Sequence, residues 1–530
     1  MNTITTIKLA DATTALIPNQ NGYLNQLPIA PEQGPGPVKA MGAYATPKPS
    51  PAKNMIAMSV DCAALLGLTA DDLQSDLWQH LLSGNASLEE QPSFAMNYAG
   101  HQFGNWAGQL GDGRAIVIAD VLAGSNKYML QLKGAGPTAF SRRGDGYAVL
   151  RSSIREFLCS EAMHALGVPT TRALSLVTRG EAVWRDMFYD GRPALEASAV
   201  VCRVAPSFIR FGHFELLASR GDKAQLQSFI LFCVSSYFPD IAAQYAEDIE
   251  EGSCSIGLVA AFFESICSST AALAAYWQSN GFTHGVLNTD NMSIHGVTID
   301  YGPYGWLEPY EPSWTPNTTD AHGRRYAFGQ QPKICMWNLW QLANALAFAL
   351  DDSSKLSAEL GRFQAKYWTA YSKRMAPKLG VSSVSQAFLE ELEAFMEAAK
   401  VDMTVFFRGL AQVNSQEEFH KHVIASSYKE PELSPDVSQA FWGEYEALLK
   451  KSGLDNRVDT MDAHNPLYVL RNYLAYQAIE KAEQGDYAMI HQLQKVLSNP
   501  FEDQGYPELS AKRPDWAAET PGCSALSCSS

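Results

Sequence analysis

Residues 284–302 read HGVLNTDNMSIHGVTIDYG and place two polar clusters around a short apolar run. The first cluster ends in Asp290 and Asn291, and the second begins at Asp300. Carboxylate and amide oxygens are the hard ligands that magnesium prefers. The stretch belongs to a block, residues 280–330, that is rich in Gly, Pro, Asn and aromatic residues. It therefore predicts a polar loop that could hold a metal ion.

The same order of residues occurs in protein kinases, which carry H-R-D-x-x-x-x-N followed by D-F-G. His284 and Asn291 have the same seven-residue step, and Asp300-Tyr301-Gly302 stands where D-F-G would. The kinase catalytic Asp would fall at Val286, which cannot accept a proton. A carboxylate appears at Asp290 instead. A plain polar turn remains the alternative interpretation.

A glycine-rich turn, GQLGDGR at residues 108–114, lies upstream of two short apolar runs, Ala115–Val121 and Tyr128–Lys133. Such runs, separated by turn residues, predict a strand hairpin. Backbone N–H groups of the turn could approach phosphate oxygens, and Lys133 could reach the same phosphates. A Rossmann site is disfavoured because no helix directly follows the turn. A P-loop is disfavoured because there is no GK[ST], and a plain hairpin with a solvated lysine remains open.

A helix is predicted from about Leu150 to Leu166, where apolar residues recur on one face. In kinases a glutamate on the corresponding helix holds the strand lysine. The candidates are Glu156, nearly opposite the apolar face, and Glu161, within it. Periodicity alone favours Glu161, and an ordinary ion pair is the alternative for either residue.

A further group of polar residues contains arginines that could contact an anion. Arginine binds phosphate through two parallel hydrogen bonds, and Arg203 lies among apolar residues in VVCRV. In an acidic chain this placement favours a buried anion, although ordinary ion pairs would explain it equally well. The group comprises Arg142, Arg143, Asp145 and Gly146, with Arg203 and Arg210 further along the chain.

The chain has 530 residues, 40 Lys plus Arg and 56 Asp plus Glu, giving a net charge of −16. An acidic chain is a poor candidate for non-specific nucleic-acid binding. The stretch Ile256–Trp277 carries Glu264 and predicts a core helix, so we expect no membrane partner. We also expect a cytoplasmic location, because the first residues lack the pattern of a secretory signal.

Composition along the chain predicts an α+β protein in four parts. Residues 1–55 hold eight prolines and predict an extended arm that is ordered only where it docks. We expect a β-rich lobe with one helix at 56–215, with 56–92 helical. A helical lobe would cover 216–500, with the polar loop at 284–305, and a tail would cover 501–530.

Seven segments resemble the selenoprotein O family, also called the YdiU family. The match is dense from about residue 40 onward. The segments are YAGHQFGNWAGQLGDGRA (98–115), LQLKGAG (130–136), GDGYAVLRSSIREFLCSEAMHALGVPTTR (144–172), RVAPSFIRFGHFE (203–215), HGVLNTDNMSI (284–294), IDYGPYG (299–305) and SCSS (527–530).

The resemblance implies a protein-kinase-like two-lobe fold without the usual catalytic Asp, with an N-terminal arm and a C-terminal extension. It implies AMP transfer from ATP to Ser, Thr or Tyr hydroxyls of proteins, and UMP transfer from UTP is also attributed to the family. Nucleotide would be bound so that its α-phosphorus is presented. A silent nucleotide-binding scaffold and an ordinary kinase remain the alternatives.

The resemblance also assigns roles to individual residues, and it favours Glu156 over Glu161. Asp290 would be the proton acceptor, and Asn291 and Asp300 would bind Mg²⁺ or Mn²⁺. The residues implied for the nucleotide and its phosphates are Gly111, Gly113, Arg114, Lys133, Asp145, Gly146, Glu156, Arg203, Arg210 and Asp300.

The C-terminal end, PGCSALSCSS, contains Cys523 and Cys528. Cys528 stands where some members of the family carry selenocysteine. The loop SWTPNTTD (313–320) has no cysteine, so a disulfide from that loop is not expected. One hypothesis is a reversible disulfide of Cys528 with Cys523 or another exposed thiol, and the alternative is a mobile tail with two inert thiols.

Overall fold

A mainly β part precedes a mainly helical part along the chain. The structure, a computed structural model, describes residues 4–187, 190–430, 434–523 and 525–527. We call residues 4–205 the sheet region and residues 206–527 the helical region. The strands are β1 (Thr5–Ile7), β2 (Leu16–Pro18), β3 (Ile29–Ala30), β4 (Gly42–Tyr44), β5 (Asn54–Met58), β6 (Ala86–Leu88), β7 (Phe94–Met96), β8 (Ala99–Gln102), β9 (Asn105–Gln109), β10 (Ala115–Ala123), β11 (Asn126–Lys133), β12 (Ala148–Val149), β13 (Arg172–Arg185), β14 (Ala194–Ala205), β15 (Phe282–Thr283) and β16 (Gly305–Trp306).

The helices of the sheet region are few and mostly short, whereas those of the helical region are more numerous. Short 3₁₀ turns occur at Thr289–Asn291, Thr318–Asp320, Phe328–Gln330 and Asp515–Ala517. The helices are α1 (Leu9–Ala12), α2 (Tyr23–Gln26), α3 (Val60–Leu65), α4 (Ala70–Gln74), α5 (Asp76–Leu82), α6 (Leu150–Ala165), α7 (Phe211–Ser219), α8 (Lys223–Tyr237), α9 (Pro239–Gln244), α10 (Ala246–Glu250), α11 (Ile256–Ser279), α12 (Gln331–Ala347), α13 (Ser354–Leu360), α14 (Phe363–Lys378), α15 (Gln386–Ala399), α16 (Met403–Leu410), α17 (Gln416–Ser426), α18 (Pro435–Ser452), α19 (Arg457–His464), α20 (Asn472–Glu483), α21 (Ala488–Leu497) and α22 (Pro507–Ser510).

The predicted hairpin forms the centre of a ten-stranded sheet. The strand order is β3-β4-β7-β10-β11-β14-β13-β5, with β2 paired to β10 and β12 paired to β14. Strands β10 and β11 are antiparallel, with Ala115 opposite Lys133. Strand β14 follows on the other side, with Gln131 opposite Arg203. This register brings the ends of three strands, and the polar side chains they carry, to one place.

The predicted helix at 150–166 is confirmed as α6, which packs against β13 and β14 on one side and α20 and α21 on the other. Thirteen of its sixteen residues are buried, including Arg155 and Glu156. Because both faces are covered, the apolar stripe in the sequence does not show which face meets the site. This is the physical reason why the helical wheel was a poor guide here.

Helix α11 is the core of the helical region and packs against α12, α13 and α14. Among the described residues it is the one helix with the length and apolar composition of a membrane span, with a mean hydropathy of 1.6. Half of that apolar window is buried inside the protein. Buried core helices pass the same test, and its buried residues include Phe262, Phe263 and Ile266.

The predicted arm is docked on the sheet. Its described residues, 4–55, contribute β2, β3 and β4 to the large sheet. Tyr23 is fully buried and donates its hydroxyl proton to the Met41 carbonyl at 2.8 Å. Short edge strands tolerate the prolines that suggested an extended arm. The predicted helical stretch 56–92 is also interrupted, because Asn54–Met58 and Ala86–Leu88 are strands.

The described part of the tail is docked on the helical region. Leu526 pairs with Asn317, and the Thr318 N–H donates to the Leu526 carbonyl at 2.7 Å. Cys523 is buried, and burial raises the pKa of its thiol to about 12. The prediction of an exposed Cys523 thiol is therefore wrong, because apolar tail residues pack inward. Cys528 lies outside the described residues.

Candidate active site

A cavity of about 760 Å³ lies between the strand ends of the sheet region and the polar loop of the helical region. This volume lies within the roughly 300–1,000 Å³ usual for small-molecule sites. Eleven of the twelve site residues predicted from the sequence line it. They are Gly111, Gly113, Arg114, Lys133, Asp145, Gly146, Arg203, Arg210, Asp290, Asn291 and Asp300.

The twelfth residue, Glu156, lies behind the wall and holds Lys133. Lys133 ends β11, and its Nζ is 2.6 Å from Glu156 Oε2. Glu156 Oε1 accepts a hydrogen bond from Arg203 Nη1 at 3.2 Å. Burial lowers the pKa of Lys133, and the charge of Glu156 opposes that effect. The buried carboxylate thus fixes two cationic side chains at the edge of the cavity.

Glu161, the residue favoured by periodicity, faces away from this cavity. Its carboxylate is 2.6 Å from Arg172 Nη2 and accepts a hydrogen bond from the Ser59 hydroxyl at 2.5 Å. It ties α6 to β13 and to the N-terminal end of α3. The interpretation of Glu161 as the partner of Lys133 is wrong, and its position in the apolar stripe reflects packing of α6 against the sheet.

Asp300 is surrounded by positive charge. Its Oδ1 is 2.5 Å from Arg203 Nη1, and its Oδ2 is paired with Arg210 Nη1. Burial alone would raise the pKa of Asp300, but Arg210, Arg203 and Lys133 outweigh it and hold that pKa well below its usual range. Asp300 also has a φ of 60°, an uncommon conformation for a residue other than glycine. Asp300 therefore places a fixed, permanently ionised carboxylate in the wall of the cavity.

Asp290 has the opposite surroundings. It lies on the Thr289–Asn291 turn, and burial raises the pKa of its carboxyl to about 7 despite a hydrogen bond from Gln102 and the charge of Arg210. Gln102 Nε2 donates to Asp290 Oδ2 at 3.1 Å. The other oxygen, Oδ1, is buried and has no hydrogen-bond partner among the described residues. Oδ1 is packed against Gly100, where a Cβ would lie 2.9 Å from it, so the hydrogen-bonding capacity of this oxygen is unused in the structure.

The glycine-rich turn is held tightly against residues 138–141. Gly111 has a φ of 76°, and a Cβ there would lie 2.4 Å from the Phe140 ring. The Thr138 hydroxyl donates to the Asp112 carbonyl at 2.7 Å. Gly146 has a φ of 77°, and a Cβ there would meet the Gly136 backbone at 2.2 Å. Side chains are thus excluded at two places where backbone closes the cavity.

The outer rim carries cations without protein partners. Arg114, Arg142 and Arg143 line the cavity, and none of them makes an ion pair or side-chain hydrogen bond within the described ranges. Asp145 differs, because its carboxylate receives two hydrogen bonds from Arg185, each of 2.8 Å. An unpaired arginine cluster beside a cavity is suited to an anion such as phosphate.

Four residues that complete the site were not predicted from the sequence: Tyr98, Gln102, Asp112 and Gln131. Asp112 is buried and accepts from Gln131 Nε2 at 2.9 Å, and its Oδ1 is 3.5 Å from Arg210 Nη2. Tyr98 packs its ring 4.6 Å below the Arg210 guanidinium. Gln102 contacts Asp290, as described above. All four lie in segments that resemble the selenoprotein O family, which is the one sequence feature that could have identified them. None of them matches a general motif.

Asn291 and Asp300 have the donor chemistry for a magnesium or manganese ion bound together with phosphate, although both Asp300 oxygens are paired with Arg203 and Arg210 in this structure. Asn291 Nδ2 lies 3.3 Å from Asp300 Oδ2, so the two side chains adjoin at the cavity wall. Both supply hard oxygen donors, and magnesium commonly takes one or two protein ligands plus phosphates and water. No cluster of three or more His, Cys, Asp or Glu suited to a metal occurs in the part of the chain that the structure describes. The site would therefore need oxygens from a nucleotide.

A cavity lined by arginines, a fixed lysine and a carboxylate suits a ligand that contains phosphate. Comparison with known proteins agrees. The family described as protein adenylyltransferase SelO matches residues 40–498. A protein named protein nucleotidyltransferase YdiU from Xanthomonas campestris pv. campestris (strain B100) is 49% identical over 516 residues, 95% of this chain and 98% of that protein.

A second relative of that name, from Azoarcus sp. (strain BH72), is 50% identical over 525 residues, 96% of this chain and 99% of its own. A third, from Xanthomonas euvesicatoria pv. vesicatoria (strain 85-10), is 47% identical over 521 residues, 96% of this chain and 99% of its own. The chain belongs to the protein adenylyltransferase SelO family. It is therefore an enzyme of the nucleotidyltransferase class, as the resemblance implied.

Proposed function

We propose that the chain transfers AMP from ATP to Ser, Thr or Tyr hydroxyls of acceptor proteins. The observation that carries this proposal is that one cavity has cationic side chains at one end and a carboxylate at the other. One end has arginines without ion-pair partners among the described residues beside the fixed Lys133, and the other has the carboxylate of Asp290. The first end suits phosphate, and the second suits a hydroxyl that must lose its proton.

The phosphates would be bound by Lys133, Arg114, Arg203 and Arg210. Phosphoryl-type transfer depends mainly on positioning and charge stabilisation, which these side chains supply. Glu156 and Asp300 orient the buried cations before the nucleotide arrives, so little reorganisation is needed. Gly111 and Gly146 keep the backbone close enough for the nucleotide to lie against it.

In the transfer step the acceptor hydroxyl oxygen forms a bond to the α-phosphorus of ATP. The bond between that phosphorus and the oxygen bridging to the β-phosphate breaks, and pyrophosphate leaves with that oxygen. The hydroxyl proton passes to the carboxylate of Asp290. Val286, at the position of the kinase base, cannot accept it. Asn291 and Asp300 would hold Mg²⁺ or Mn²⁺, which when bound supplies charge neutralisation for the leaving pyrophosphate.

The proposal also includes a division of the chain into two lobes. Residues 56–215 would form the nucleotide-binding lobe and residues 216–500 the helical lobe of a protein-kinase-like fold. The strands of the arm are added to the first of these. We also propose a cytoplasmic location, where ATP and acceptor proteins are available. UMP transfer from UTP is the closest variant of the reaction, because the phosphate contacts do not depend on the base.

The test is incubation of the purified chain, Mg²⁺ or Mn²⁺ and a heat-denatured protein extract with ATP labelled at either the α- or the γ-phosphate. Label on protein from α-ATP alone is the expected result. Label from γ-ATP alone would indicate an ordinary kinase, and tight ATP binding without label would indicate a silent scaffold. A parallel incubation with α-labelled UTP measures the preference between the two nucleotides.

A further inference from the structure

Four large apolar side chains form one exposed patch beside the cavity. Trp106 is 45% exposed, Met336 39% and Trp340 49%. Trp337, on the same face of α12, is half-buried. We call Trp106, Met336, Trp337 and Trp340 the tryptophan surface. Contiguous exposed apolar side chains of this size mark interaction sites in soluble proteins.

The His101 ring joins the two parts of this surface. It lies between Trp106 and Trp337, with ring centroids 5.1 Å and 5.6 Å away. His101 Nδ1 is 2.5 Å from Glu215 Oε1, which fixes the ring. The β8–β9 hairpin and α12 therefore present one continuous surface rather than two separate patches.

The same hairpin is anchored on the turn that carries Asp290. The His101 N–H donates to Thr289 Oγ1 at 2.7 Å, and the next side chain, Gln102, donates to Asp290. The Phe103 N–H donates to Asn288 Oδ1 at 3.2 Å. The tryptophan surface is thus continuous with the end of the cavity where the acceptor hydroxyl would enter.

The two segments that carry the surface supply cationic side chains, although Asp320 accepts a hydrogen bond from the Arg325 N–H at 3.0 Å. Residues 99–109 and 321–345 contain no Asp or Glu, in a chain with a net charge of −16. They do contain Arg324, Arg325 and Lys333. The Arg325 guanidinium lies 4.5 Å from the Trp337 ring centroid, and its buried Nε has no hydrogen-bond partner within the described part of the chain. The surface is therefore aromatic at its centre and cationic at its edge.

We propose that the tryptophan surface binds the acceptor polypeptide, and that it selects segments with an aromatic or bulky apolar residue and carboxylates near the modified hydroxyl. This inference rests on the proposed function and adds its substrate class. An aromatic side chain of the acceptor would pack on Trp106, Trp337 and Trp340. Acceptor carboxylates would pair with Lys333 and Arg325. Aromatic and arginine side chains at such positions commonly supply most of the binding energy.

The test uses the heat-denatured extract and α-labelled ATP, with modified sites mapped by mass spectrometry. For the unmodified enzyme we expect modified sites enriched in acidic and aromatic neighbours relative to all Ser, Thr and Tyr sites in the extract. Trp106→Ala and Trp340→Ala should each lower labelling of those sites about 10-fold. The apparent KM for ATP should stay unchanged.

A charge-reversal variant distinguishes a change in acceptor recognition from a loss of folded protein. Lys333→Glu should shift labelling away from acidic sites and towards sites flanked by Lys or Arg. Lys421→Glu reverses an exposed charge on α17, and Val437→Ala truncates an exposed apolar side chain on α18. Both control variants should label the same sites as the unmodified enzyme.

Distinct outcomes overturn distinct claims. If no label enters protein, the proposed function fails and this inference fails with it. If label enters protein but the modified sites show no such enrichment, or the tryptophan variants label them at the normal rate, the docking proposal alone is wrong. If light scattering shows a dimer that Trp340→Ala dissociates, the surface binds a second copy of the chain instead.

Discussion

The two carboxylates of the cavity, Asp290 and Asp300, lie in opposite electrostatic surroundings. Asp300 is paired with two buried arginines that hold its pKa low, whereas burial raises the pKa of Asp290 and leaves one of its oxygens without a partner. The same side chain can therefore serve as a permanent charge in one place and as a proton acceptor in the other. Which task each performs is set by the neighbours rather than by residue type.

Loss of Asp300 should have the largest effect. In Asp300→Ala two buried arginines lose their carboxylate and the proposed metal would lose a ligand, so we expect no measurable transfer. Breaking a buried ion pair costs about 3–5 kcal/mol, so the free energy of unfolding should also fall by roughly that amount. Transfer of α-label and urea unfolding measure the two effects. Asp351→Asn, at an exposed position, is the control and should change neither.

Loss of Asp290 should slow transfer without weakening nucleotide binding. Removing a general base lowers rates by about 10²–10⁴-fold, and we expect Asp290→Asn to fall within that range. Because Asp290 Oδ1 has no partner, the unfolding free energy should not decrease. Single-turnover transfer and urea unfolding give the result. A near-normal rate would exclude Asp290 as the proton acceptor.

Loss of Lys133 should have an intermediate effect. Lys133→Ala removes one preorganised charge contact, and we expect transfer to fall about 10²-fold. Glu156→Gln should give a smaller decrease, because it frees the lysine without removing it. Initial rates with α-labelled ATP compare both variants with the unmodified enzyme. A normal rate for Lys133→Ala would mean that this side chain does not contact phosphate.

Loss of Glu161 should have the smallest effect on transfer. Glu161→Gln disturbs the contact with Arg172, so we expect a rate within about 3-fold of normal and a stability loss of about 1 kcal/mol. Restoring a kinase-like base with Val286→Asp should likewise create no transfer from γ-labelled ATP. A large rate defect in Glu161→Gln would restore the interpretation that the structure overturned.

The sequence predicted the elements whose residues interact locally. The hairpin over 115–133 and helix α6 are confirmed, because apolar periodicity and turn residues determine them. The choice between Glu156 and Glu161 could not be made from periodicity, since α6 is covered on both sides. Family resemblance favoured Glu156, and the contact with Lys133 agrees with it.

The site residues that could not be predicted from the sequence make contacts between distant parts of the chain. Gln102 and Asp290 are 188 residues apart, and Asp112 and Arg210 are 98 apart. No local pattern marks such pairs. The place where the arm docks could not be predicted for a similar reason, because the strands that pair with its short segments, β10 and β7, lie further along the chain.

The most direct test of the difference between the two carboxylates is calorimetric titration of ATP at saturating Mg²⁺ into Asp290→Asn and Asp300→Asn. Asp290→Asn should bind ATP within about 3-fold of the unmodified enzyme, because the proposed mechanism places its carboxylate at the acceptor. Asp300→Asn should bind at least about 30-fold more weakly, because the proposed hard cation would lose a carboxylate ligand. Equal ATP dissociation constants for the two variants would contradict the assignment of separate roles.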